Sequence, residues 1–227
     1  MTKPKNSKAV VLLSGGLDSA TTLYFAIAKG YRPTALIFHY GQRHQKEILA
    51  AKRIARLAGC PYKVLHLSFP WKGSSLVDHS LAIAQNRFLT RRPETIPLTY
   101  VPSRNIIFLS FAASFAEVMG AQAIFIGANA IDYSGYPDCR PKFLNAFQRM
   151  LSLGTKAGVQ KKAIKIYAPF ARKTKKEIIC LGMKLRVPYH ATWSCYQGHQ
   201  KPCGVCDSCR LRQKGFSALK MKDPALS

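Results

Sequence analysis

The chain has 227 residues, 48% of them apolar, and carries 35 Lys and Arg against 10 Asp and Glu, a net charge of +25. The length suits one sizeable core with a small appendage, and the apolar share is normal for a globular protein. Without a run of ~18 apolar residues no membrane span is expected, and the apolar stretch behind the basic N-terminus is too short for a signal peptide, so a cytoplasmic protein is expected.

Residues 9–13 are apolar without polar alternation, the pattern of a parallel strand buried on both faces. Ser14-Gly15-Gly16 breaks the run, and a helical pattern starts at Asp18, with Asp18 or Ser19 as its cap. Ala20, Leu23, Tyr24 and Ile27 give this helix an apolar stripe, and Gly30 stands where it should stop. A second strand is predicted at 34–39. The next helix, near 43–58, turns Ile48, Ala51, Ile54, Ala55 and Ala58 inward and stops at Gly59. A third strand follows at 64–67. Residues 68–103 have weak periodicity and four prolines, and read as an excursion over the sheet edge. Residues 105–119 look helical up to Gly120, and 123–126 read as a fourth strand.

A polar loop at 128–140 leads to Pro141, which fits the first turn of a helix reaching about Leu153. A short strand is predicted at 164–167. Thr174-Lys175-Lys176-Glu177 is a capping box that opens a helix to about Leu185. Beyond it the chain reads as irregular and organised around cysteines. The alternation predicts an α/β, Rossmann-like parallel sheet with helices on both faces over residues 1–186. A C-terminal four-cysteine segment, 187–227, packs on it. Such sheets bind ligands at the carboxyl ends of their strands, which points to residues 14–19, 40–44 and 127–140.

Cys195, Cys203, Cys206 and Cys209 crowd into fifteen residues, whereas Cys60, Cys139 and Cys180 are scattered. Four thiolates at this spacing suit tetrahedral Zn²⁺ in a closed structural site, which would fold the tail rather than do chemistry. An iron–sulfur cluster is the rival, but its fourth cysteine usually lies downstream and before proline; here it lies upstream, and Arg210 follows Cys209. The charge is densest at 140–186, with 13 basic residues against Glu177 alone. It leaves room for a nucleic-acid partner. A general basic bias explains it better, because the excess spreads over most of the chain.

The loop after the first strand is built for an anion. Its glycines allow a sharp turn and a close approach, and the helix start offers N–H groups at its positive end. Ser14-Gly15-Gly16-Leu17-Asp18-Ser19 lacks the Gly-Lys-Ser/Thr ending of a Walker loop and resembles the PP-loop of ATP pyrophosphatases. Further pieces follow: Tyr40-Gly41-Gln42-Arg43-His44, Tyr100-Val101-Pro102-Ser103-Arg104-Asn105 and Phe125-Ile126-Gly127-Ala128-Asn129-Ala130. Then come Asp132-Tyr133-Ser134-Gly135-Tyr136-Pro137-Asp138-Cys139-Arg140-Pro141, Thr155-Lys156-Ala157-Gly158 and Thr192-Trp193-Ser194-Cys195-Tyr196, closed by the cysteine tail. On these residues, from Ala9 to Phe216, the chain resembles the 7-cyano-7-deazaguanine synthase family of queuosine biosynthesis. It departs from that pattern at Val159-Gln160-Lys161-Lys162 and at Ala168-Pro169.

The resemblance implies an adenine nucleotide alpha hydrolase-like fold and an ATP-dependent ligase, often a homodimer. It would join ammonia to 7-carboxy-7-deazaguanine through an adenylated acid and an adenylated amide. The implied ATP site is Leu13, Ser14, Gly15, Gly16, Leu17, Asp18, Ser19, Ala20, Thr21, Thr22 and Leu23, with Mg²⁺ offsetting phosphate charge and Asp18 capping the loop or touching that ion. Asp18, Arg104 and Asp138 are the expected catalytic residues. Arg104 and Asn105 are expected to meet nucleotide or substrate. Asp132 or Asp138 would read the amino-pyrimidinone edge, and Tyr133 or Tyr136 would stack on the ring. Lys156 and Lys173 are candidates to face pyrophosphate. Two rival readings are a PP-loop enzyme that adenylates a base in tRNA and a zinc-dependent nucleic-acid-binding module.

Overall fold

The computed structural model describes residues 6–83, 96–130 and 135–226. Its centre is a five-stranded sheet in the order β3-β2-β1-β4-β5, with every neighbouring pair parallel. The strands are β1 (Ser7–Leu12), β2 (Tyr31–His39), β3 (Tyr62–His66), β4 (Ala123–Phe125) and β5 (Lys165–Tyr167). Register is set across β1: Val10 lies opposite Thr34 on one side and Ile124 on the other.

The unbroken apolar run of β1 follows from covering both faces of the sheet. Ala9, Val11 and Leu13 face a core shared with α1 (Leu17–Ala28), α2 (Lys46–Leu57), α6 (Lys175–Lys184) and α7 (Asp207–Ser217). Val10 and Leu12 face the opposite core, filled by α3 (Arg104–Met119) and α4 (Pro141–Gly154). A one-turn α5 (Lys156–Val159) follows α4. Fully buried side chains such as Leu23, Ile54, Phe125 and Phe170 each stabilise the fold by about 1.5–3 kcal/mol.

Three local features differ from the sequence expectation. Helix α1 starts at Leu17 with Gly16 as N-cap, not at an Asp18 or Ser19 cap, because the Ser19 hydroxyl turns back to the Gly16 carbonyl (3.1 Å). Helix α3 starts one residue early at Arg104, behind Ser103 in the left-handed region (φ 57). The tail is not irregular after Cys206: α7 buries Cys209, Arg212 and Phe216 at helical spacing. The capping box at Thr174 and Glu177 is present, with Thr174 N donating to Glu177 Oε2 at 2.8 Å. No described helix is long and apolar enough to cross a membrane.

Candidate active site

The carboxyl ends of β1, β2 and β4 open on a cavity of about 300 Å³. Gly15 (φ +84) makes the turn out of β1. A Cβ there would lie 2.6 Å from the Ala51 backbone nitrogen, so α2 can lie against the loop only because this residue is glycine. The Ser14 and Ser19 hydroxyls sit 3.0 Å apart, and Ser19 Oγ also accepts from Ser14 N at 3.2 Å. These bonds hold the loop open with the α1 N-terminus behind it, a ready anion site.

Among the described residues, Leu13, Ser14, Gly16, Leu17, Asp18 and Ser19 line the cavity. Gly15 shapes the turn from behind. Ala20, Thr21, Thr22 and Leu23 point into the core, each fully buried. Thr21 Oγ1 meets Tyr189 OH at 2.9 Å, and Thr22 Oγ1 donates to the Asp18 carbonyl at 2.8 Å. The Asp18 carboxylate is held by Lys175 Nζ at 2.7 and 2.8 Å. Lys175 lines the cavity too; its loop is held by Asn129, whose side chain donates to the Phe170 and Lys173 carbonyls. The structure does not bring Lys156 or Lys173 here. Lys156 is exposed on α5, and Lys173 pairs with Glu177 at 3.4 Å on the surface.

The far side of the cavity is aromatic and charged. Phe38 and Phe108 stack with centroids 3.9 Å apart, and Tyr40 meets Phe108 edge-on at 5.4 Å. The turn after β2 is fixed by Gln42, which accepts from Tyr40 N (2.8 Å) and donates to Phe38 O (3.1 Å). Arg104 lies over the Tyr40 and Tyr136 rings and donates to Tyr40 OH at 3.1 Å. Burial opposes its charge, but Tyr40, Tyr136, Asp138 and Cys139 around it hold the guanidinium charged beyond its ordinary range.

Asp138 is 3% exposed and faces α3: its carboxylate accepts from Asn105 N at 2.9 Å and Asn105 Nδ2 at 3.4 Å. Burial raises its pKa. Asp132 and Tyr133 lie outside the described residues. Asp138 itself is not among the cavity-lining residues, whereas Glu47, in the first turn of α2, does line the cavity, and burial pushes its pKa up to about 7.

The tail packs against the glycine loop. Trp193 N donates to the Gly15 carbonyl at 2.9 Å, and the Trp193 indole donates to Cys195 O at 2.9 Å. Lys46 Nζ sits 4.6 Å over the same indole. The sulfurs of Cys195, Cys203, Cys206 and Cys209 lie within 4.8 Å of one another, an arrangement that could hold a metal ion. Hydrogen bonds from the Cys206 and Cys209 thiols, and from Cys203 N and Gln197 N, hold the Cys195 thiol far below its ordinary range.

Glu47 and Lys175 escaped the sequence reading. An acid in the first turn of an amphipathic helix looks like a solvated face, and one lysine among thirteen basic residues carries no signal. The Tyr40–His44 stretch singled out in the sequence does deliver Tyr40 and the Gln42 turn.

Fold and site together define an α/β protein with a glycine loop at a helix N-terminus, suited to an anion, beside a four-cysteine tail. The family model described as queuosine biosynthesis protein QueC matches residues 8–220. A 7-cyano-7-deazaguanine synthase of Thermoplasma acidophilum is 50% identical over 220 residues, covering 97% of this chain and 92% of that protein. One of Clostridium kluyveri is 51% identical over 220 residues, covering 96% of each. One of Leptospira interrogans is 52% identical over 217 residues, covering 95% of this chain and 88% of that protein. The chain belongs to the QueC family, whose curated relatives here are 7-cyano-7-deazaguanine synthases. Among solved structures, an NMN synthetase from Francisella tularensis overlaps with TM-score 0.49 at 13% identity, covering 96% of this chain and 79% of that one. A 4-thiouridine synthetase–RNA complex with bound ATP overlaps with TM-score 0.47 at 17% identity, covering 93% and 54%. Neither overlap adds to the assignment.

Proposed function

We propose that this chain is an ATP-dependent ligase that converts 7-carboxy-7-deazaguanine and ammonia into 7-cyano-7-deazaguanine. The observation that carries the reading is one cavity with two unlike ends. The Ser14-Gly15-Gly16 loop at the start of α1 stands at one, and the Tyr40–Arg104–Phe108 wall at the other. The loop takes the phosphates of ATP; the wall takes a flat heterocycle.

The substrate carboxylate attacks the α-phosphorus of ATP and pyrophosphate leaves. Ammonia then attacks the acyl carbon, AMP leaves with the C–O electron pair, a proton is lost, and an amide forms. The amide oxygen attacks a second ATP in the same way. Loss of that AMP and of two protons from nitrogen gives the nitrile. Charge builds on the α-phosphate in both adenylations, where N–H groups at the α1 N-terminus and Lys175 are already in place to offset it. Asp18 aims Lys175 at the loop. Arg104 holds substrate, while Asp138 ties down the start of α3 from which Arg104 and Asn105 reach in. Asp132 and Tyr133, a few residues before Tyr136 in sequence, stand as further substrate contacts.

Two ions complete the reading. Mg²⁺ would supply further charge at the phosphates, with Asp18 the nearest carboxylate to the loop. Zn²⁺ would fit the tail: ~2.3 Å bonds in a tetrahedron put sulfurs about 3.8 Å apart, within the 4.8 Å spread of the four cysteines.

The test is direct. Purified protein incubated with ATP, Mg²⁺, ammonia and 7-carboxy-7-deazaguanine should yield the nitrile by mass spectrometry, with two AMP per nitrile. Absence of nitrile and of substrate-dependent AMP overturns the reading.

A further inference from the structure

Two described carboxylates line the cavity, Asp18 and Glu47. Asp18 is held by Lys175, and Asp138 behind the wall is held by Asn105. Glu47 has none among the described residues, although it lines the cavity wall. Its charged and titratable neighbours are Arg104, Tyr40, Tyr196 and Cys195. Glu47 is half-buried at the cavity wall, and a carboxylate that no protein donor engages there is free to accept donors from a ligand entering the cavity.

The ligand's chemistry supplies those donors. Resting on the function proposed above, the substrate is a planar ring with an amino-pyrimidinone edge, which presents a ring N–H and an exocyclic amine side by side. Two adjacent donors match the two oxygens of one carboxylate, a charge-assisted and bidentate pairing. Asp18 is engaged by Lys175 and Asp138 by the start of α3, so neither is open to that edge. Glu47 faces the aromatic half of the cavity, where Tyr40 and Phe108 offer flat surfaces to the ring.

We propose that Glu47 is the specificity residue of this enzyme, its carboxylate reading the ring N–H and exocyclic amine of the deazaguanine substrate. The pairing explains why the carboxylate is left without a partner in the protein. It also separates the guanine-type acid from an analogue lacking the amine, because that analogue would leave one Glu47 oxygen buried and unpaired.

The test pairs a protein change with a substrate change. Wild type and Glu47→Gln are assayed with 7-carboxy-7-deazaguanine and with its 2-deamino analogue, reading KM and kcat for each, KM for ATP, and the melting temperature. The expected result is a KM for the natural acid raised about 10- to 100-fold in Glu47→Gln, with KM for ATP unchanged. The preference for the amine-bearing acid, about tenfold or more in wild type, should fall to near unity. Glu47→Asp, which keeps the charge but draws it back by one methylene, should fall between. An equal loss on both substrates overturns the inference, as does a raised KM for ATP or a preference that survives in Glu47→Gln; the last outcome moves edge recognition to Asp132. A wild-type protein that turns over neither acid overturns the proposed function instead.

Discussion

The amide of Trp193 donates to the carbonyl of Gly15 at 2.9 Å, so the four-cysteine tail and the glycine loop share a backbone hydrogen bond. Two residues on, Cys195 belongs to the four-sulfur cluster. The folded tail therefore adds one support to a loop that Ser14 and Ser19 also hold, and metal binding and folding are coupled in sites of this kind. The purified chain should carry one zinc per protomer by elemental analysis. After chelation, or in Cys206→Ser, amide exchange at 14–19 should rise and ATP affinity should fall about tenfold or more. An ATP affinity unchanged after complete metal loss would sever tail from loop.

Gly15→Ala tests the turn itself. The residue sits at φ +84, and a Cβ would lie 2.6 Å from the Ala51 nitrogen, against backbone that cannot swing aside. Strain and overpacking together should cost about 2–4 kcal/mol in urea unfolding, with adenylation lost even where the protein still folds. A variant with wild-type stability and activity would show that α2 does not press on this loop.

The sheet is largely legible in the sequence, and for a physical reason. Both faces of β1 are covered, so residues 9–13 are apolar throughout, and a run this short, ended by Ser14-Gly15-Gly16, reads as a buried parallel strand rather than a helix. The loop is legible because a turn at φ +84 demands glycine, and the tail because four cysteines in fifteen residues have few other uses. Helix α7 is not, because its buried stripe is Cys209, Arg212 and Phe216, and an arginine in a core position masks the period. Glu47 and Lys175 are not, because their value comes from what the fold sets opposite them: an aromatic wall for one, Asp18 for the other.

Lys175→Ala should separate chemistry from stability. The lysine holds Asp18 at 2.7 Å beside the glycine loop, and with side chains 13% and 24% exposed the pair is largely shielded, so losing the lysine leaves Asp18 without its partner. Stability should fall by about 1–2 kcal/mol in thermal unfolding, while kcat for pyrophosphate release falls roughly 10- to 100-fold through lost charge stabilisation. Equal loss in Lys173→Ala, whose side chain pairs with Glu177 on the surface, would deny Lys175 a special place.

Glu47 makes stability and binding respond oppositely to pH. Its ordinary pKa of 4.5 is pushed up to about 7 by burial, against the pull of Arg104 and with Cys195 adding to the rise. Between those values the folded state keeps a proton that the unfolded chain has lost. Stability therefore falls as pH rises through the window, and the loss is complete above the folded value. Glu47→Gln carries no such charge. It should be more stable than wild type at pH 8 by on the order of 1–3 kcal/mol, with the gap closing toward pH 4.5. Urea titrations at both pH values read this, and a pH-independent gap would assign the shift elsewhere. Substrate binding runs the other way, because the charged carboxylate is the acceptor: KM for the acid should rise as pH drops below about 7, and Glu47→Gln should lose that dependence.

The last contact concerns a tail residue far from the loop in sequence. Arg212 and Asp223 form a two-bond ion pair at 2.6 and 2.8 Å, 7% and 4% exposed at their side chains. The same guanidinium donates to Thr192 Oγ1 at 2.6 Å and to the Tyr189 carbonyl at 3.0 Å, fixing the segment that leads into Trp193. Removing only the acid strands a buried charge, which typically costs about 3–5 kcal/mol, far more than an exposed pair is worth. Asp223→Ala should therefore lower stability by that amount, and the loss should appear first as raised amide exchange at 189–195 and then at 14–19. Exchange that rises in α7 alone, with the loop still protected, would show that Trp193 keeps its bond to Gly15 without Arg212.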